Sequence, residues 1–83
     1  QTRVQVRFGN RVRQLRLAAE MTQEDLAHRC GLFRTYMSRI ETGAANPTLT
    51  MIHALAGSLR VPVSALFEDE ALPKTSRRKA SKA

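Results

Sequence analysis

Residues 22–43 read TQEDLAHRCGLFRTYMSRIETG, and the one glycine between two helical patterns decides how this stretch folds. Thr22 precedes Gln23, Glu24 and Asp25, so its hydroxyl can accept the Asp25 amide while the acids complement the positive end of a helix. Leu26, Ala27 and Cys30 give that helix, over about 22–30, its inward stripe. Gly31 ends it, because glycine enters the left-handed conformation without a steric penalty. A second helix is predicted over about 33–41, with Met37 and Ile40 facing inward, Phe33 four residues before Met37, and Thr42-Gly43 as its stop.

Two short helices joined by a tight glycine turn form the arrangement that lets a protein place one helix in a DNA major groove. The residue types meet its steric demands. Ala27 is small where the helices cross, Gly31 makes the turn, and Met37 and Ile40 anchor the second helix to the core. Arg34, Thr35, Ser38 and Arg39 point outward, where an ordinary surface helix carries Glu and Lys. Arginine can contact guanine at two acceptors, and a threonine methyl can meet a thymine methyl.

Working outward, Phe8, Val12, Leu15 and Ala19 fall on one helical face, predicting a helix from about Val6 to Ala19. Val4, Val6 and Phe8 also alternate as a strand would, so a loose or extended arm is expected before it. Downstream, Thr48 can cap a helix whose stripe is Ile52, Leu55, Ala56 and Leu59. Gly57 within that helix suggests a close packing contact or early fraying. Pro62 suits the first turn of a short fifth helix ending near Phe67. After Ala71, Leu72-Pro73 breaks the pattern, and KTSRRKASKA has no apolar periodicity. The expectation is an all-α, compact five-helix domain over residues 1–71 with a basic C-terminal tail over 72–83, solvated or able to touch phosphates.

Composition narrows the function. Fourteen Lys and Arg oppose seven acids in 83 residues, a net charge of +7. Residues 1–67 hold nine basic and four acidic side chains, so the excess is not confined to the tail. Such a balance favours polyanions through phosphate neutralisation and counterion release. The single cysteine, Cys30, cannot form an internal disulfide, and no apolar run approaches the roughly 20 residues that span a bilayer. With no apolar N-terminal leader visible, the cytoplasm is the expected compartment. His28, Cys30 and His53 are too few and too scattered for a structural metal site, so no metal or other cofactor is expected. Glu24 and Asp25 belong to a helix cap, and Glu68 to Glu70 form a solvated patch. No phosphate-cradling loop or nucleophile motif is present, and no enzyme is predicted.

The stretches MTQEDLA, CGLFRTYMSRIETG and NPTLTMIHALAGSL resemble the phage-repressor-type helix-turn-helix (Xre) family of bacterial transcriptional regulators. RTYMSRIE followed by NPTL is most similar to the controller proteins of restriction–modification systems. The resemblance implies that Arg34, Thr35, Ser38 and Arg39 read base edges and that Gln23 hydrogen-bonds a phosphate. It also implies phosphate contacts from Arg13, Tyr36 and the loop from Thr42 through Gly43 to Asn46, with Gly43 permitting close approach. Arg16 and Glu41 match a structural pair tying the first helix to the end of the recognition helix. The implied assembly is a homodimer on a two-fold-related DNA operator, with Val61, Val63, Leu66 and Phe67 as the apolar interface. No membrane or small-molecule partner is expected. Two alternatives stay open: an antitoxin or phage-type repressor sharing the mechanism, and a protein-bridging module that uses the fold without reading DNA. The chain departs from the family pattern at Arg60, where glycine is usual, and at Pro62, where a capping residue such as serine is common.

Overall fold

A computed structural model describes residues 1–68; the expected basic tail over 72–83 lies outside the described residues. Four α-helices run over Arg3–Ala18 (α1), Gln23–Cys30 (α2), Arg34–Thr42 (α3) and Leu49–Leu59 (α4), and a short 3-10 helix follows over Val63–Phe67. Among the described residues there is no strand. α3 packs on α1 and α2, while α4 backs α2 and the 3-10 helix joins α1 to α4.

The start of α1 corrects the expectation of an extended arm. Thr2 caps the helix: its hydroxyl accepts the Gln5 backbone amide, and the Gln5 side-chain Oε1 accepts the Thr2 amide, each at 3.1 Å. The Gln5 side chain also donates to the Ala45 carbonyl at 2.9 Å, fastening this first turn to the loop after α3. Reciprocal capping therefore overrides the strand-like alternation of Val4, Val6 and Phe8. At the other end Ala19 is exposed rather than inward, and Arg16 takes the last buried position of α1.

All four α-helices stop in the same way. A left-handed residue follows directly after α2, α3 and α4, and after Ala19 (φ −88°) in the case of α1, and the amide of the next residue returns to a carbonyl five residues back. These bonds are Met21 to Arg16, Leu32 to Ala27, Ala44 to Arg39 and Val61 to Ala56, at 2.8–3.1 Å. Gly31 (φ 72°) and Gly43 (φ 85°) fill the left-handed position in two cases; Glu20 and Arg60, both at φ 60°, fill it in the others. A side chain in that region costs roughly 1–2 kcal/mol. The apolar Met21, Leu32 and Val61 that follow three of these positions pack against the core. Arg60, where the family usually has glycine, thus carries a side chain in the left-handed region, and Glu20 does the same with no family departure to announce it.

Helix starts are less uniform. Thr2, Thr22 and Thr48 each accept an amide at the third helical position through the hydroxyl. α3 starts from Phe33 with no side-chain cap, forgoing about 1 kcal/mol. Phe33 was expected inward, yet it lies outside the helix in extended conformation and is 85% exposed. The fifth helix is a 3-10 helix, because Pro62 precedes it with no side-chain acceptor and only five residues follow.

The core is built on Val12, Leu26, Met37, Ile40, Leu55 and Leu66, all essentially shut off from water. Burial of such side chains is worth about 1.5–3 kcal/mol each. Phe8 adds a tilted ring contact to Phe67 with centroids 5.2 Å apart. Leu66, expected at a dimer interface, is therefore a core residue of its own protomer; only Val61, Val63 and Phe67 of that set reach the surface.

Glycine spacing carries the tightest contact. A Cβ on Gly9 would fall onto the Ile40 carbonyl oxygen and lie 2.8 Å from the Glu41 carbonyl oxygen, so α1 touches the backbone of α3 there. Gly57, expected at a close contact, faces open space and α4 continues past it to Leu59. We expect Gly9→Ala to lose about 1–3 kcal/mol by forcing α1 off α3. Gly57→Ala should gain roughly 1 kcal/mol of helix propensity. Urea unfolding of the two variants reads both signs.

Asp25 reciprocates the Thr22 cap, its carboxylate accepting the Thr22 amide at 2.9 Å. Hydrogen bonds from the Thr22 backbone and side chain hold the Asp25 carboxyl below the usual aspartate range, with Arg29 assisting. A folded-state value below the unfolded one adds stability above the unfolded pKa and loses it as pH falls through the folded one. Asp25→Asn should lower the melting temperature at neutral pH, and the gap to wild type should close as the carboxylate range is crossed. Melting curves against pH check this.

Candidate nucleic-acid interface

The surface of α3 follows from which of its residues the core captures. Met37, Ile40 and Glu41 point inward, and α1 and α2 press on that face. Arg34, Thr35, Arg39 and Thr42 are exposed and Ser38 is half-buried. Their spacing along the helix places all five on one outward stripe. The structure thus brings the four expected base-reading residues to one face.

A buried ion pair sets the position of that face. Arg16 Nε donates to Glu41 Oε2 at 2.7 Å and Arg16 Nη2 to Glu41 Oε1 at 3.1 Å. The remaining nitrogen, Nη1, donates to the Met21 carbonyl at 2.8 Å. One guanidinium therefore joins the end of α1, the turn before α2 and the end of α3. A forked contact of this kind fixes angle as well as distance. The Arg16–Glu41 tie expected from the resemblance is present, with Arg16 and Glu41 both buried.

The network continues to the surface. Gln23, at the first position of α2, donates through Nε2 to Glu41 Oε1 at 3.1 Å. Its side-chain Oε1 accepts from Arg34 Nη1 at 3.4 Å, a long bond that is easily surrendered. Arg34 is thereby held at the start of α3 with little to lose on reaching elsewhere. Arg39 lies at the opposite end, where Nη2 donates to the Ala44 carbonyl at 3.1 Å and its charge opposes the negative end of the helix.

The expected phosphate contacts divide. Arg13 on α1 and Asn46 in the loop are exposed, and Tyr36 is half-buried against the core. The Thr42 hydroxyl donates to the Arg39 carbonyl at 3.2 Å. Gly43 does not fit its expected role. It is buried, its amide donates to Ile40, and a Cβ would lie 2.7 Å from Val6 Cγ2, so the close approach it permits is to α1. Ala27 is buried at the α2 crossing and Gly31 makes the turn, as the spacing predicted. Cys30 is half-buried 3.5 Å from the Ser58 hydroxyl, while His28 and His53 are exposed.

Two features escaped the sequence reading. The packing role of Gly9 looks like an ordinary helix position until α3 is laid against it. The outward placement of Phe33 was signalled only by the lack of Ser, Thr, Asp or Asn in front of Arg34. Removal of one member of the buried pair leaves the other charged and unmatched. Arg16→Ala should cost about 3–5 kcal/mol of stability. Arg16→Lys should restore only part, since lysine lacks the fork. Chemical denaturation of both variants measures the difference.

Comparison with known proteins shows where such a chain recurs. The helix-turn-helix domain family matches residues 7–66. The control protein C.BamHI of Bacillus amyloliquefaciens is 41% identical over 66 residues, covering 78% of this chain and 82% of that protein. The immunity repressor protein of Bacillus phage phi105 is 38% identical over 66 residues, covering 80% of this chain. The chain spans 46% of that repressor's length. Among solved structures, the restriction–modification controller protein C.AhdI from Aeromonas hydrophila is 42% identical with a TM-score of 0.73, covering 75% of this chain and 94% of that one. The controller C.Esp1396I, solved as a tetramer on its natural 35-base-pair operator, is 31% identical with a TM-score of 0.73, covering 81% of this chain and 88% of that one. A buried Arg16–Glu41 fork, a left-handed Gly31 and an outward polar stripe on α3 thus accompany a match across most of the sequence, and the chain belongs to the helix-turn-helix domain family.

Proposed function

We propose that this protein is a sequence-specific, double-stranded DNA-binding transcriptional regulator of the restriction–modification controller kind, acting as a homodimer on a two-fold-related operator in the cytoplasm. The observation that carries the reading is the outward stripe Arg34, Thr35, Ser38 and Arg39 on a helix whose opposite face is pinned by Met37, Ile40 and Glu41. A rigid helix with arginine at both ends can offer bidentate contacts to guanine, while threonine meets thymine methyls. Gln23, Arg13, Tyr36, Thr42 and Asn46 are assigned to phosphates, which set orientation without reading sequence.

Dimerisation is supported by the small interface that one such module offers to DNA. Two copies read half-sites roughly 34 Å apart on one face of the duplex. Val61, Val63 and Phe67 supply the apolar surface of the pairing, and Phe67 is 49% exposed despite its ring contact to Phe8. No helix among the described residues is long and apolar enough to cross a membrane. The likeness to a phage immunity repressor favours a second reading, in which the same contacts serve phage-type repression.

Selection from randomised duplexes at moderate salt tests the proposal. A single enriched motif with two-fold symmetry is expected, and a pool without one overturns the reading. On the selected site, Arg34→Ala should cost about 1–3 kcal/mol and relax preference at one or two positions. Arg13→Ala should weaken cognate and random duplexes alike and shallow the salt dependence by about one unit.

A further inference from the structure

Phe33 combines two unfavourable choices at one position. An aromatic ring stands 85% exposed, and the side chain offers no acceptor to the first turn of α3, whose Tyr36 and Met37 amides are met only by the Phe33 backbone carbonyl. The other three α-helices have threonine at this position, and each hydroxyl accepts an amide. A serine at residue 33 would cure both defects. Its backbone, at φ −77° and ψ 148°, is open to any residue, so no conformational demand calls for phenylalanine.

The location is specific. Phe33 directly precedes Arg34 and Thr35, both exposed, at the end of α3 whose residues are aimed at base edges. Because the residue lies one step before the helix, its ring is outside the inward stripe of Met37 and Ile40 and exposed to solvent beside Arg34 in sequence. In the major groove, the C5-methyl of thymine is the one apolar group that a base pair presents, and aromatic side chains are suited to cover it. Covering the ring in this way removes apolar surface of both partners from water.

We propose that Phe33 is a specificity-determining residue that packs against the C5-methyl of one thymine in each half-site. This rests on the DNA-reading function proposed above. The ring favours thymine over cytosine at that position, and it does so without a hydrogen bond. Arg34 beside it supplies polar readout of the neighbouring base pair.

The test replaces each thymine of the selected duplex by deoxyuridine, one position at a time, which removes a methyl group and nothing else. Besides any thymine met by Thr35, wild-type protein should lose about fourfold in affinity at one thymine per half-site covered by Phe33, the value of one buried carbon group. Phe33→Ser should bind the thymine site more weakly and be indifferent to that replacement, whereas Phe33→Leu should keep the sensitivity. Affinities are compared per folded molecule below the melting transition, and Phe33→Ser should melt no lower than wild type because its hydroxyl can cap α3. If no deoxyuridine substitution weakens wild-type binding, or if Phe33→Ser responds as wild type does, Phe33 does not read the methyl. Either result leaves the DNA-reading function standing. Failure of the selection to yield any motif removes both.

Discussion

The position of α3 depends on one buried carboxylate. Glu41 accepts three hydrogen bonds, two from Arg16 on α1 and one from Gln23 on α2. Apolar contacts such as those of Met37 and Ile40 hold the helix down but tolerate sliding, because dispersion and hydrophobic burial have little direction. A forked guanidinium–carboxylate pair does not, since its donors match only one angle and register. Burial of both charges makes the pair a weak source of net stability, yet separating them is costly. Its effect is therefore to fix where the outward stripe points. Gln23 carries that constraint to Arg34 at the surface.

The pair can form because the backbones approach closely. Gly9 lets α1 rest on the carbonyls of Ile40 and Glu41, and Gly43 lets the end of α3 lie under Val6. These two glycines bring the ends of α1 and α3 close enough for side chains to bridge. The helix stops provide the second condition. With each helix closed by a left-handed residue and a returning amide, the chain reverses within a few residues and keeps the elements short. Two of those residues, Glu20 and Arg60, bear side chains in a conformation that glycine would occupy without strain. The structure accepts that local cost in exchange for compact turns between α1 and α2 and between α4 and the 3-10 helix.

Much of this was legible beforehand, for identifiable reasons. The order and approximate limits of α2, α3 and α4 follow from capping threonines, glycine stops and apolar periodicity, all of them local signals. The inward roles of Leu26, Ala27, Met37, Ile40, Leu55, Ala56 and Leu59 follow from the same periodicity. The start of α1 was misplaced because a Thr2–Gln5 capping box competes with a strand-like alternation, and only the neighbouring Ala45 carbonyl favours one of them decisively. Phe33 was assigned inward because a one-residue shift of the helix start turns a side chain by a large angle. Leu66 was assigned to a partner because apolar character alone does not distinguish a core face from an exposed one. Gly43 was assigned to phosphate for the reason that made it a glycine, close backbone approach, with the neighbour misidentified.

By itself the sequence determined the helical class, the helix-turn-helix unit around Gly31, the basic character and the set of polar residues on the outer face of α3. Those properties depend on interactions within about one or two turns of chain, or on charge summed over it. Tertiary structure alone decided which glycine packs a helix crossing, which apolar residue near the C-terminal end of the domain is core, and how Arg16, Gln23, Glu41 and Arg34 join. Each of these links side chains from different helices, and their partners are defined only when the helices have docked. The stretch 22–43 thus specifies a pair of helices, and the contacts of α1 specify the direction in which the second one faces.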